Sequence, residues 1–503
     1  MEKLKINELL NIKIENCEIT EAVEADQGTV VLPDGRTFER LPKLCAVRFV
    51  MRPSPVSFIR AELWLPVENW NGRFLGTGNG GSAGRISYEA LADGVREGYA
   101  VANTDMGTSP NADDLIGEPE RWADFGHRAT HLMTTVSKEL LERFYGRSAE
   151  FSYFVGCSTG GQQALSLAQR YPNDYDGIVA GVPANNRTLL HAYFLWNYQA
   201  MHTADGGDMF TKEQVQNLTK TAVDWFQKKK GSVKPDAFIP DPRADEAAAE
   251  EIICLARKND ASLTEEQIMA LRKIYQGPIN PRTGERIYTP MPFGSEFTAP
   301  GILSQQRLEG AEGLFYVFRW VFGKDYDYMK FDFDRDMDVY QKALAKHVNA
   351  NSADLRAFQN RGGKLIMYSG SSDPLVPFHD AVSYYERVIE NQNGLMQTMD
   401  FARYFLIPGM GHGTEGPGAQ FVKHMEDGVL KAPLNAVVAW REQGAAPEVL
   451  YAVRQNGDDN DFCRPVYPYP QKTEICKEDS DNYFAAPGER DGVEKIARRY
   501  LEE

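Results

Sequence analysis

The sequence has no long hydrophobic run. No stretch approaches about 18 consecutive apolar residues, so none reads as a membrane-spanning helix. Its opening, MEKLKINELLNIKIENCEIT, lacks the apolar segment that follows a basic start in a secretory signal, and a cytoplasmic location is expected. Cysteine is sparse: Cys17, Cys45, Cys157, Cys254, Cys463 and Cys476 lie far apart, and no two have CxxC spacing. Metal-ligand spacing is therefore missing. Six thiols could make three bridges, but a long chain with no signal segment is expected to keep them reduced. Basic charge is also short, with 55 Lys and Arg against 71 Asp and Glu, a net charge of −16. That balance repels phosphate backbones and argues against nucleic acid as a partner. The densest basic spot, FQKKKG at 226–231, reads as a solvated helix end.

What remains suits a soluble globular protein. The 503 residues are 42% apolar, enough for a large core and, by length, about two or three structural units. Residues 60–190 alternate short apolar runs (GRFLGTGNGG, GYAVANTDMG, FSYFVGCS, DGIVAGVPA) with helical patterns such as HLMTTVSKELLERFYG. Strands alternating with helices predict an α/β fold, a mostly parallel sheet with helices on both faces. The rhythm returns at GGKLIMYSG (362–370) and FARYFLIPG (401–409). Between them it changes. Capping boxes at Thr211–Gln214 and Thr264–Gln267 open two helices, and the rest is rich in Pro, Gly and aromatics. The expected division is a first core segment at 1–190, an inserted lid at 191–350 and a second core segment at 351–503.

Three predicted strands end in residues suited to acyl transfer. SYFVG leads to Ser158 within Gly156-Cys157-Ser158-Thr159-Gly160, a match to G-x-S-x-G. KLIMYSG leads to Asp373, and RYFLIPG leads to His412. In an open α/β sheet these ends share one edge, where ligands bind. A serine hydroxyl needs a base to become nucleophilic. Imidazole titrates near neutrality, and a carboxylate fixes its tautomer. The order Ser, acid, His is that of α/β-hydrolases. Rival residues have plainer readings: His127 and His131 as packing, His379 as a helix cap, and Asp105 and Asp380 as less well placed acids. Gly76-Thr-Gly78-Asn-Gly80-Gly81 fits a dinucleotide fingerprint, with Asp105 ending the next strand. As an oxyanion loop facing Ser158, the same glycines explain both motifs in one site.

The chain resembles the tannase and feruloyl esterase family, which also includes the hydrolase of mono(hydroxyethyl) terephthalate. The likeness runs from about residue 40 to 470 through ELWLPVENWNGRFLGTGNGG, DFGHRATH, GCSTGGQQAL, HAYFLWNYQA, YQGPINPRTGERIY, SSDPLVP, PGMGH and AWREQGAAPE. The resemblance implies an α/β-hydrolase with an inserted lid that acts on esters of aromatic acids such as gallate or hydroxycinnamates. It implies Ser158, Asp373 and His412 as the triad, Gly80, Gly81 and Thr159 as oxyanion donors, and no cofactor. Phe315, Tyr316, Trp320 and Phe322 are candidate walls for the aromatic group, or lid core. The family places cysteines before the serine and after the histidine, joined as a disulfide. Here the first is Cys157 and the second position is Gly413, so that bridge cannot form, and Cys157 is expected to be a small buried thiol. The family lid also carries an Asp-rich calcium loop. Its counterpart, FQKKKGSVKPDAF, keeps only Asp236, so no metal is expected, with a lysine filling the charge role. A general carboxylesterase, a non-catalytic aromatic-ester binder and a dinucleotide enzyme remain as alternatives, and homo-oligomerisation is open.

Overall fold

The computed structural model describes residues 5–501 except 26–27, 33, 110, 204, 231–235, 243–245, 308–312, 457–458 and 471–495. Cys476 and part of the 226–238 loop lie outside the described residues.

Among the described residues, fifteen strands form three sheets. In chain order they are β1 (Cys17–Ala25), β2 (Val30–Val31), β3 (Thr37–Phe38), β4 (Leu44–Met51), β5 (Ile59–Pro66), β6 (Arg73–Thr77), β7 (Ala100–Thr104), β8 (Phe151–Cys157), β9 (Gly177–Gly181), β10 (Lys364–Gly370) and β11 (Ala402–Ile407). Then follow β12 (Phe421–Glu426), β13 (Val429–Lys431), β14 (Leu450–Asn456) and β15 (Asp459–Val466). The main sheet has nine strands in the order β1-β4-β5-β7-β6-β8-β9-β10-β11. The six from β7 to β11 run parallel, and β5, β4 and β1 continue the sheet antiparallel. This is the mostly parallel sheet the alternation predicts. The four-stranded sheet β13-β12-β14-β15 and the hairpin β2-β3 were not anticipated. Their strands are short, and β12 and β13 turn at Asp427-Gly428 without a clean apolar alternation.

Helices α1 (Tyr88–Arg96), α2 (Ala129–Tyr145) and α3 (Thr159–Arg170) follow the early strands. Side chains alternate across the sheet as strand geometry demands. Along β10, Leu365 and Met367 join the core beneath α2 and α3, whereas Ile366 and Tyr368 join the core on the other face.

Between the end of β9 at Gly181 and the start of β10 at Lys364 the chain forms no strand among the described residues. The insertion is helical: α4 (Arg187–Met201), α5 (Lys212–Lys230), α6 (Glu246–Asn259), α7 (Glu265–Gln276), α8 (Tyr316–Phe322) and α9 (Arg335–Val348). Both predicted capping boxes are present. The Thr211 and Gln214 backbone N–H groups each bond the other's side chain, and Thr264 and Gln267 do the same. The insertion packs into a core dense in rings that it shares with residues before and after it: Phe318 stacks on Tyr340 with centroids 4.5 Å apart, and Trp320 meets Phe125 edge-on at 5.2 Å. After β10, α10 (Phe378–Asn391) and α11 (Pro433–Gln443) complete the core. Among the described residues no helix is long and apolar enough to cross a membrane.

Candidate active site

The parallel strands β6, β8, β10 and β11 deliver four loops to one edge of the sheet. The turn after β8 is the tightest. Ser158 adopts φ 61° and ψ −117°, a backbone region that non-glycine residues seldom visit. Such strain persists only where the surroundings impose it. Here the Ser158 N–H donates to the Gly181 carbonyl (3.0 Å), and its own carbonyl accepts from Gln162 and Ala184. Gly156 and Gly160 make the turn sterically feasible: a Cβ on Gly156 would run into the Gly160 backbone, and one on Gly160 would press on Gly78 and Asn79.

The expected triad residues meet. Ser158 Oγ lies 2.9 Å from His412 Nε2, and His412 Nδ1 lies 2.8 Å from Asp373 Oδ2. The other Asp373 oxygen, Oδ1, accepts the backbone N–H groups of Leu375 (2.8 Å) and Val376 (2.9 Å). The carboxylate is fully buried, so these bonds fix which oxygen faces the imidazole. The loops bearing Asp373 and His412 are stitched together: Ser371 Oγ accepts the Gly409 N–H at 2.8 Å, and the Ser372 N–H donates to the Met410 carbonyl at 3.0 Å. Burial pushes the His412 pKa down. The charge and hydrogen bond of Asp373, with Glu415 adding, outweigh it, and Arg187 opposes them, so the imidazole sits above its usual value.

The glycine loop after β6 packs against the start of α3. The Asn79 carbonyl accepts from Gly160 N–H (2.7 Å), the Gly81 carbonyl from Thr159 Oγ1 (2.7 Å), and Gln163 Oε1 accepts the Asn79 N–H (2.8 Å). Gly80 and Gly81 N–H groups have no backbone acceptor among the described residues. Thr159 opens α3, where first-turn N–H groups have no partner within the helix. Gly78 is required by proximity, since its Cβ would lie 2.5 Å from Gly160 Cα. Asp105, the acid of the dinucleotide alternative, is buried and engaged by Arg60 and by the Gly107 N–H.

Ser158, His412 and this loop border one cavity of about 1050 Å³. Ala83, Ile86 and Leu375 give it apolar wall, and Asn79, Ser82, Ser87, Arg36 and Arg85 give it polar wall. The sequence reading missed Ile86 and the two arginines, which carry no motif, and Leu375, which lies within SSDPLVP but was not singled out.

Two expectations need correcting. Phe315, Tyr316, Trp320 and Phe322 are not among the cavity walls. The first three are buried and Phe322 is partly so, because the rings pack on one another: Phe315 against Tyr328 at 4.6 Å, Phe322 against Tyr326 at 4.5 Å. Trp320 also donates its indole N–H to the Ala112 carbonyl. Cys157 is not buried in the elbow. As the last residue of β8 it points to the side opposite Gly156, opens onto the cavity and lies 3.0 Å from Tyr368 Oη. The five described cysteines are all free.

The histidines that rival His412 in the sequence sit in structural surroundings. His127 Nδ1 meets Tyr171 Oη at 2.7 Å, and burial, followed by Arg170 and Arg128, drives its pKa down to about 3. His131 stacks on Tyr171 and bonds Asp174. His379 is buried in the first turn of α10 against Phe378, past the cap position. Asp380 is reached by Asn186 and Tyr288. At the calcium-loop counterpart, Asp236 is held by two bonds from Arg464 of β15 (2.7 and 2.6 Å), so an arginine rather than a lysine supplies the positive charge.

The family model described as tannase and feruloyl esterase matches residues 45–485. An esterase of Xanthomonas campestris is 32% identical, with 96% of this chain and 91% of that one aligned. A probable feruloyl esterase B-1 of Aspergillus flavus is 32% identical over 88% of this chain and 84% of its own. Among solved structures, feruloyl esterase B from Aspergillus oryzae superposes with a TM-score of 0.79 at 26% identity, covering 92% of this chain and 94% of that one. The chain belongs to the tannase and feruloyl esterase family and is a carboxylic ester hydrolase of the α/β-hydrolase fold.

Proposed function

We propose that the protein hydrolyses esters of aromatic carboxylic acids, of the gallate or hydroxycinnamate type, through an acyl-enzyme on Ser158. The observation that carries this reading is the hydrogen-bonded line from Ser158 Oγ through His412 to buried Asp373. His412 Nε2 takes the hydroxyl proton as Oγ attacks the ester carbonyl. Backbone N–H groups of Gly80, Gly81 and Thr159 receive the oxyanion. His412 then passes its proton to the leaving alcohol, and water repeats the sequence to free the acid. Asp373 keeps Nδ1 protonated, so Nε2 is the basic nitrogen.

The aromatic preference rests on the feruloyl esterase relatives and on the cavity. Ile86 and Leu375 can cover a planar ring, and Ser82 and Ser87 can bond ring hydroxyls. A serine-directed phosphonate should label Ser158 in the wild type, which peptide mapping reads. kcat/KM for a methyl hydroxycinnamate or gallate, corrected for leaving-group reactivity, should exceed that for p-nitrophenyl butyrate. A ratio at or below one indicates a general carboxylesterase. Label found elsewhere overturns the nucleophile.

A further inference from the structure

Arg187 is the one Asp, Glu, Lys or Arg between Asp176 and Asp205, and it opens α4. It is 4% exposed, and no carboxylate pairs with it among the described residues. Its guanidinium is held by neutral groups alone. It donates to Gln162 Oε1 from Nε (2.7 Å) and Nη2 (2.5 Å), to Thr159 Oγ1 (2.8 Å) and to Tyr316 Oη (3.3 Å), and it lies 5.5 Å from the centre of the Phe125 ring. A buried cation is normally paired with an anion. This one also sits at the positive end of α4, where the helix dipole disfavours it. The static structure gives it no counter-charge.

The reaction supplies one. Thr159 Oγ1 accepts from Arg187 and donates to the Gly81 carbonyl, so two hydrogen bonds join the cation to the glycine loop. Thr159 N–H and that loop are the groups assigned above to the oxyanion. We propose that Arg187 is a positioning residue for the oxyanion site: it fixes Thr159 and Gly81 and sets a positive potential behind the place where negative charge develops. The charge is fixed before the reaction, so no reorganisation is needed when the oxyanion forms. A donor that is itself charged also polarises the Thr159 hydroxyl and strengthens its bond to Gly81. Gln162 completes the mounting: it accepts twice from Arg187 and donates through Nε2 to the Val348 carbonyl (2.7 Å), tying the guanidinium to the end of α9. The signal in the sequence was a lone cation in an otherwise uncharged stretch of 28 residues, 177–204.

The inference rests on the serine-nucleophile reading, and the test separates the two because it follows any ester the enzyme cleaves. Arg187→Met, Arg187→Lys and Thr159→Val are compared by kcat, KM and the pH dependence of kcat/KM. Arg187→Met should lower kcat on the order of 10²-fold with KM within about threefold. Its acid limb should move to higher pH, because a cation that disfavoured the imidazolium has gone. Arg187→Lys should keep the wild-type acid limb and recover most of kcat. Thr159→Val keeps the charge and cuts the link, so kcat should fall about tenfold with an unmoved acid limb. Equal losses in the Met and Lys variants with unshifted limbs would mark a purely structural role and overturn the proposal. So would a kcat within threefold of wild type in Arg187→Met. Should that variant fail to fold, Thr159→Val decides alone, and a loss below threefold overturns it. If Ser158→Ala stayed fully active, the nucleophile assignment would fall whatever the arginine variants do.

Discussion

The carboxyl edge of the main sheet and the aromatic insertion between β9 and β10 were both candidates to shape the site, and they use their residues in opposite ways. At the sheet edge, each chemically important side chain follows a strand and is aimed by backbone geometry. The strained turn at Ser158, the two N–H groups on Asp373 and the Ser371 stitch each set a direction. In the insertion, Phe318 packs on Phe315 and Tyr340, and Trp320 packs on Tyr316, so the job of these rings is cohesion. The contrast teaches that aromatic density marks a core as readily as it marks a substrate wall. Placement on a parallel strand end is the stronger sign of chemistry.

The sharpest way to break this contrast is Ser158→Ala. It should lower kcat by on the order of 10⁴-fold or more, leaving what the oxyanion groups and binding supply. The melting temperature should stay within a few degrees, or rise, since alanine removes no buried partner from the fold. A mutant of unchanged activity would move the chemistry away from this edge.

Trp320→Ala is the converse. Deleting a buried indole from the ring cluster should cost about 3–5 kcal/mol in denaturant unfolding. kcat/KM of the fraction that remains folded should change less than about threefold. A large change in substrate preference with little loss of stability would return Trp320 to the substrate wall.

These outcomes bear on what the sequence could reveal. The parallel sheet was legible because short apolar runs alternate with helical patterns, and that alternation has few solutions. The triad was legible because the loop after each parallel strand must emerge on the same edge. The insertion's inner faces were not legible. A segment such as FYVFRWVF is apolar on all sides, so periodicity does not say which face meets the cavity. Ile86 went unnoticed because a single aliphatic residue in a loop carries no pattern, and Leu375 because only the aspartate of SSDPLVP carries chemistry. The elbow cysteine was misplaced because its alternation partner, Gly156, occupies the packed side, leaving Cys157 to face the cavity.

Leu375→Ala tests the cavity wall that replaces the expected aromatics. Its backbone N–H still serves Asp373, so the triad should stay intact. Losing the side chain should lower kcat/KM for a hydroxycinnamate ester about tenfold and for an acetate ester much less, the range that one apolar contact supplies. Equal losses for both esters would place Leu375 outside the acyl pocket.

The smallest expected effect concerns the charge next to His412. The enzyme needs the neutral imidazole, so activity should rise with pH as His412 loses its proton. The raised pKa places that limb above the usual value of about 6.5. Asp373 is the main cause, and removing it would disturb the triad itself. Glu415 contributes in the same direction from an exposed position. Glu415→Gln removes a negative charge that favours the imidazolium, so the acid limb should move to lower pH. Solvent screening keeps the shift to a few tenths of a pH unit. It should shrink further as salt is raised, and kcat on the plateau should stay within about twofold of wild type. A shift to higher pH would reverse the assigned sign. No shift at low ionic strength would leave Asp373 as the one anion that His412 feels.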